Sequence, residues 1–213
     1  MIRVLVVDDH TLVRAGLCRL LEGEGDLEIV AQTGSGREAV QLCQDHKPAV
    51  VILDYNLPDQ DGLATTEQIQ ALKLKTHVLV LTMYANEEYA IRVIRAGAAG
   101  FIVKGASTDE LVAAVRKVAS GGVYVSPAIQ ERMVVRLGHQ PSEHPEADLS
   151  NRELQVLVRL ARGATTREVA EELCLSLSTV ETYRSRILEK LGLRNNSDLT
   201  RFAIRRGLID NIE

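Results

Sequence analysis

Tryptophan is absent from this 213-residue chain, and aromatic residues make up only 3% of it. Proteins that hold single strands or sugars by ring stacking need more than that. Cysteine is scarce as well. Cys18, Cys43 and Cys174 lie far apart with no CxxC spacing, which excludes a zinc ribbon and a disulfide framework. Cys18 and Cys43 fall in helical apolar patterns and read as small core thiols. No apolar run approaches the ~20 residues of a membrane span, and the N-terminus meets Asp8 and Asp9 too early for a secretory signal. The expectation is a soluble cytoplasmic protein in a reducing compartment. What the chain does have is 46% hydrophobic and 25% charged residues, enough to bury a core and too apolar for disorder.

The net charge of −4 is unevenly spread. Residues 1–120 carry 12 Lys and Arg against 16 Asp and Glu, whereas residues 178–206 carry seven against three, a basic segment inside an acidic protein. Such a segment can be a solvated helix face, so its meaning depends on the pattern around it.

From 1 to about 120, short β-branched runs alternate with stretches of helical spacing. The runs are Ile2–Val7, Leu27–Thr33, Val50–Leu53, Val78–Leu81 and Gly100–Val103, and the helical stretches are 12–22, 36–45, 62–72, 87–96 and 107–120. This predicts an α/β domain, a doubly wound five-stranded parallel sheet of flavodoxin-like size. Helix starts are marked by Ser or Thr followed three residues later by Glu: Ser35/Glu38, Ser107/Glu110, Ser150/Glu153, Thr165/Glu168 and Ser178/Glu181. Ser126-Pro127 opens a further predicted helix to about Leu137. Residues 138–147, with two prolines, a glycine and His139 and His144, read as a solvated linker. The segment 121–147 is thus expected to be a helix and flexible linker. From 148 to 213 no strand pattern remains, and the spacing predicts a small domain of four helices.

In doubly wound sheets, ligands bind beyond the carboxyl ends of the strands. Those ends carry Asp8 and Asp9, Asp54, Thr82 and Lys104. Singly, an Asp-Asp pair reads as a solvated turn and a strand-end Lys as a surface charge. Jointly, three carboxylates, a hydroxyl and an ammonium share one rim. Crowded carboxylates stay ionised when a cation sits among them, and Mg²⁺ suits oxygen ligands and phosphate. A carboxylate can also attack phosphorus and form an aspartyl phosphate.

On these residues, 1–120 resembles a two-component receiver domain: Val6-Val7-Asp8-Asp9-His10, Ile52-Leu53-Asp54-Tyr55-Asn56-Leu57-Pro58, Val80-Leu81-Thr82 and Gly100-Phe101-Ile102-Val103-Lys104. The resemblance implies that Asp54 is the phosphoacceptor, and that Asp8, Asp9, Asp54 and the Asn56 carbonyl hold Mg²⁺. It also implies that Lys104 pairs with the phosphoryl oxygens, and that Thr82 and Phe101 form the switch. Gly105 stands where many receivers have proline, and Met83 where many have a small residue.

Two rival readings compete for this domain. Gly34-Ser35-Gly36-Arg37-Glu38-Ala39 satisfies a dinucleotide-binding fingerprint, with Asp54 at about the distance of a ribose-binding acid. The fingerprint belongs on the first strand, however, where this chain has two acids that would repel a pyrophosphate. An aspartate-nucleophile phosphatase would need a general acid where Asn56 stands, and no P-loop is present, so an enzyme is not expected.

Towards the C-terminus, 166–173 and 178–191 are spaced as a helix-turn-helix, whose second helix would enter the major groove. Its polar face carries Glu181, Thr182, Tyr183, Arg184, Ser185 and Arg186. This domain resembles the LuxR-type (NarL/FixJ) DNA-binding domain over about 148–211. The matching runs are Leu149-Ser150-Asn151-Arg152-Glu153, Glu168-Val169-Ala170, Ser178-Thr179-Val180-Glu181-Thr182-Tyr183-Arg184 and Lys190-Leu191-Gly192-Leu193. The resemblance implies that Glu181, Thr182 and Ser185 face bases and that Thr179, Tyr183, Arg184, Lys190 and Arg194 hold phosphates. Glu181 also reads as the capping partner of Ser178. The whole chain is expected to be a response regulator, phosphorylated by a sensor histidine kinase and binding promoter DNA as a homodimer. The alternative is a phosphorylation-independent DNA-binding regulator whose receiver serves only as a dimerisation scaffold.

Overall fold

The computed structural model describes residues 1–83, 87–127, 129–131, 149–173 and 175–209. The chain divides into two units, Met1–Gly138 and His139–Glu213. The Gly138–Ala147 linker with His139 and His144, Cys174 and most of the predicted 126–137 helix lie outside the described residues. Of that helix, residues 127 and 129–131 are helical, and the Ser126 carbonyl accepts from the amides of Ile129 and Gln130 at 3.0 Å each.

The first unit contains β1 (Ile2–Val7), α1 (Thr11–Glu22), β2 (Leu27–Thr33), α2 (Gly36–His46), β3 (Val50–Asp54), α3 (Gly62–Ala71), β4 (His77–Thr82), α4 (Glu87–Arg95), β5 (Gly100–Val103), α5 (Thr108–Ala119) and β6 (Tyr124–Val125). The sheet is parallel, in the order β2-β1-β3-β4-β5-β6. It therefore has six strands rather than the expected five. The extra one is two residues long, too short to show a period, and pairs Tyr124 with Gly100 and Val125 with Phe101.

Every residue of β3 is buried, as a central strand covered on both faces requires. Val4, Val6, Val50, Ile52, Leu79, Leu81 and Ile102 pack with Leu111, Val115 and Val118 of α5 into one core. Burying each such side chain contributes about 1.5–3 kcal/mol, which locks the strand register. Val7 pairs with Leu53, Asp54 with Leu81, and Thr82 with Val103, so the strand ends line up on one edge. Cys18 and Cys43 are buried and free, as core thiols should be. Burial pushes the Cys43 thiol up to about 12.

The second unit contains α6 (Asn151–Ala161), α7 (Thr166–Glu172), α8 (Leu177–Leu191) and α9 (Asn196–Arg205). Its core includes Leu154, Leu157, Val158, Val169, Val180, Ile187, Leu199 and Phe202, all buried. Ser150/Glu153 and Thr165/Glu168 form reciprocal capping boxes. The other three expected boxes do not form. Ser35 and Ser107 do cap their helices, but the Glu38 carboxylate accepts from the Thr33 hydroxyl and that of Glu110 from the Tyr124 hydroxyl. The α8 cap is Ser176, whose hydroxyl accepts from the Thr179 amide, so Ser178 lies inside the helix and Glu181 is not its capping partner. Leu177 simply extends the helix by one residue. Gly192 ends α8 in the left-handed conformation at φ 64°, where a side chain would be strained. Among the described residues, no helix is long and apolar enough to cross a membrane.

Candidate functional site

The edge formed by the ends of β1, β3, β4 and β5 brings the acids together. Asp8 and Asp54 are buried, at 0% and 2% exposure. The Lys104 ammonium, just past β5, donates to Oδ2 of both at 2.7 Å. One cation thus bridges two carboxylates that lie 46 positions apart in the chain. The Oδ1 atoms take backbone amides: His10 N–H donates to Asp8 at 2.8 Å and Asn56 N–H to Asp54 at 3.2 Å.

Burial pushes the Asp54 carboxyl up to about 6, with the Asp8 charge adding to the rise and Lys104 opposing it. Burial works against the Lys104 charge too, but Asp54 and Asp8 outweigh it and hold the ammonium above its ordinary value. Asp9 is part-exposed, yet its Oδ1 is buried and accepts no hydrogen bond. An orphaned buried carboxylate oxygen costs about 1–3 kcal/mol or more. A cation removes that cost, and this set of oxygen donors suits a hard divalent ion such as Mg²⁺.

Thr82 is the last residue of β4 and is fully buried, with its carbonyl accepting the Lys104 amide at 2.7 Å. Met83 beside it is exposed. Phe101 lies in β5, two positions before Val103, and is fully buried.

Three residues of this corner carried no role in the sequence reading. The Arg14 Nη1 donates to the Asp8 carbonyl at 2.6 Å. His10 places Nδ1 2.8 Å from Asp9 Oδ1. Asp59, in the loop after β3, accepts from Ser35 Oγ at 2.7 Å and from the amides of Gly36 and Arg37 at 3.0 and 3.1 Å. These bonds outweigh burial and keep the Asp59 carboxyl below its usual range. They anchor the 55–61 loop to the start of α2. Gly36 permits the close approach, since a Cβ there would lie 2.5 Å from Thr65 Oγ1 and 3.0 Å from the Gln60 carbonyl. The same contacts dispose of the dinucleotide reading, because Asp59 already occupies the helix N-terminus that a pyrophosphate would need. Gly62 plays a matching role: a Cβ there would lie 2.7 Å from Tyr55 Cα, so only glycine lets α3 begin so close to β3.

In the second unit, α7 and α8 form the helix-turn-helix pair. Glu181, Thr182 and Ser185 are exposed on α8, and Thr179, Tyr183 and Arg184 are half-buried. Arg184 Nε donates to Asn196 Oδ1 at 2.8 Å, which fixes its stem against α9, and Nη1 lies 3.8 Å from Glu181. Thr182 Oγ1 donates to the Ser178 carbonyl at 2.8 Å. Lys190 is not a free phosphate clamp: it bonds the buried Glu153 at 2.7 Å and so ties α8 to the start of α6. Arg194 lies just beyond α8 and pairs with Asp198 at 3.2 Å.

A parallel sheet with a buried acid–lysine corner, joined to a helix-turn-helix unit, defines a signal-receiving DNA-binding regulator. Residues 4–116 match the response regulator receiver domain, and residues 147–203 match the luxR family of bacterial regulatory proteins. The chain is 38% identical over 212 residues to the response regulator GacA of Pseudomonas aeruginosa, covering 99% of both chains. It is 38% identical over 209 residues to the response regulator UvrY of Escherichia coli, covering 98% of this chain and 96% of that one. Among solved structures it is similar to ChrA, the response regulator of a heme-sensing two-component system, with 30% identity, a TM-score of 0.54 and 98% of each chain covered. The chain belongs to the NarL/FixJ family of two-component response regulators, with a receiver domain and a LuxR-type DNA-binding domain that regulates transcription. Receiver domains generally bind Mg²⁺ at an acidic pocket of the kind formed here by Asp8, Asp9 and Asp54.

Proposed function

We propose that Asp54 accepts a phosphoryl group from a sensor histidine kinase and that this event controls DNA binding by residues 148–213. The observation that carries this reading is the Lys104 ammonium shared at 2.7 Å between Asp8 and the buried Asp54. Asp54 attacks phosphorus; the P–N bond of the donor phosphohistidine breaks as the P–O bond forms, and the departing imidazole keeps the electron pair. Asp8, Asp9, Asp54 and the Asn56 carbonyl would hold Mg²⁺, which supplies positive charge against the phosphoryl oxygens. Lys104 adds a second positive charge beside Asp54. Thr82, already joined to Lys104 through its carbonyl, turns its hydroxyl to the new oxygens, and Phe101 follows as the switch aromatic.

Phosphorylation adds charge to a buried corner and shifts the population of the face built from α4, β5 and α5. A homodimer then forms and places two copies of α8 on paired half-sites of promoter DNA. Glu181, Thr182 and Ser185 would read base edges, and Thr179, Tyr183, Arg184 and Arg194 would hold phosphates. Lys190 belongs to that phosphate-holding set only in so far as Glu153 shares it. A cytoplasmic location follows from a partner kinase and a DNA target. Incubation of the full chain with a small phosphodonor and Mg²⁺ should add one phosphoryl group by intact mass, and Asp54→Asn should add none. Labelling that persists in Asp54→Asn would move the acceptor elsewhere.

A further inference from the structure

We propose that His10 is an additional protein ligand at the acidic corner and that it raises the affinity of this corner for nitrogen-seeking divalent transition ions relative to Mg²⁺. The inference rests on the reading of the corner as a cation site. One ligand atom each from Asp8, Asp9, His10 and Asp54 can be chosen so that all lie within 4.8 Å of one another. Opposed ligands of an octahedral ion with bonds near 2.1 Å lie about 4.2 Å apart, so a small contraction would seat an ion among the four.

The pairing of His10 with Asp9 points the same way. Nδ1 sits 2.8 Å from Asp9 Oδ1, the distance of a hydrogen bond. That oxygen is buried and no other donor reaches it. Adjacent ligands of an octahedral ion with bonds near 2.1 Å lie about 3 Å apart, so one cation would take this oxygen and this nitrogen together. The position of His10 is fixed by its own amide, which donates to Asp8 Oδ1 at 2.8 Å.

Charge agrees with the occupant. The three carboxylates outnumber the nearby cations Lys104 and Arg14, so the corner keeps a net negative charge that favours a cation. Arg14 is close, but it bonds the Asp8 carbonyl and leaves the carboxylates free for a metal. An all-oxygen set suits Mg²⁺, whereas imidazole favours the later first-row ions, and affinity rises from Mn²⁺ through Co²⁺ to Ni²⁺ at a mixed site. The His10 side chain is 68% exposed, so replacing it removes a ligand without opening the core.

The test uses the full-length, metal-free chain, titrated separately with Co²⁺ and with Mg²⁺, as parent, His10→Phe and His10→Ala. With no tryptophan in the chain, tyrosine emission reports binding, with Tyr55 adjacent to Asp54. Visible absorption reports the Co²⁺ ligand field. Both variants should weaken Co²⁺ binding by about tenfold or more while Mg²⁺ binding stays within about twofold. The Co²⁺ form of the parent should also show a strongly shifted imidazole proton resonance that both variants lose. Unchanged Co²⁺ binding, or equal weakening for both ions, would overturn the assignment of His10 and leave the magnesium corner standing. A parent that binds neither ion would overturn both readings.

Discussion

Asp8 and Asp54 are sealed from water and share a single ammonium, whereas Glu181, Thr182 and Ser185 stand exposed on one helix. The first arrangement draws its residues from strand ends scattered over about a hundred positions, and the second from five consecutive ones. The contrast separates two kinds of functional surface. At the corner a change of charge is a change in folding energy, which is how a chemical event there can move the rest of a domain. On α8 a side chain can be exchanged with little cost to the fold, and its effect appears when DNA is present.

The largest expected effect sharpens that contrast. Lys104→Met leaves two buried carboxylates facing each other and should lower receiver stability by about 3 kcal/mol in metal-free buffer. Mg²⁺ should restore most of the loss, which urea unfolding with and without the ion would show. A loss that Mg²⁺ leaves untouched would mean that the corner does not take the cation. In the second unit, Glu153→Ala removes a capping partner and the buried anion that holds Lys190, and should cost about 2 kcal/mol by the same measurement. It is also expected to leave the first unit unaltered.

On the exposed helix the sensitivity moves from stability to binding. Arg184→Ala should weaken binding to every DNA sequence by about tenfold and reduce the salt slope by about 1. Thr182→Ala should relax preference at one base position by about 1 kcal/mol. Fluorescence anisotropy against a set of single-base variants distinguishes the two, and equal, sequence-independent losses would contradict this division of roles.

Acidity should act on the two units with opposite signs. The Asp54 carboxyl titrates at about 6 in the folded chain and near 3.8 when unfolded. Between pH 7 and 5 the folded receiver therefore takes up a proton that the unfolded chain does not, and metal-free receiver should gain about 1 kcal/mol. Burial works against the Glu153 charge, but Lys190 and Ser150 hold that carboxyl below its ordinary value. Its contribution is complete above about 4.5 and is lost as pH falls through its lower folded value. Hydrogen exchange in the full chain, corrected for intrinsic rates, should show β3 amides gaining protection from pH 7 to 5. The α6 amides should hold steady over that range and lose protection below it. Parallel losses in both would break the comparison.

The strand ends were legible because a central parallel strand leaves an uninterrupted apolar signature, as in Val50-Val51-Ile52-Leu53, and the polar residue that ends it is conspicuous. The positions of Asp8, Asp9, Asp54, Thr82 and Lys104 followed from that, their expected roles from the resemblance to receiver domains, and the helix-turn-helix from apolar spacing and caps. The sixth strand was hidden because two residues carry no period. The start of α8 was misplaced because Ser176 and Ser178 both offer a hydroxyl within one turn, and only backbone geometry decides which one caps. Contacts such as Lys190 with Glu153, or Asp59 with the start of α2, join residues 37 and 23 to 24 positions apart. No local pattern announces them, since each side chain by itself reads as a solvated charge.

The central claim is that chemistry at Asp54 governs what α8 does. Its most direct test is DNA binding and dimerisation measured in one sample, by sedimentation of full-length protein with fluorescent promoter DNA, before and after phosphodonor and Mg²⁺. Parent protein should shift to a dimer and bind DNA more tightly, and Asp54→Asn should do neither. A parent that binds DNA equally well in both states, or an Asp54→Asn protein that responds like the parent, would contradict it.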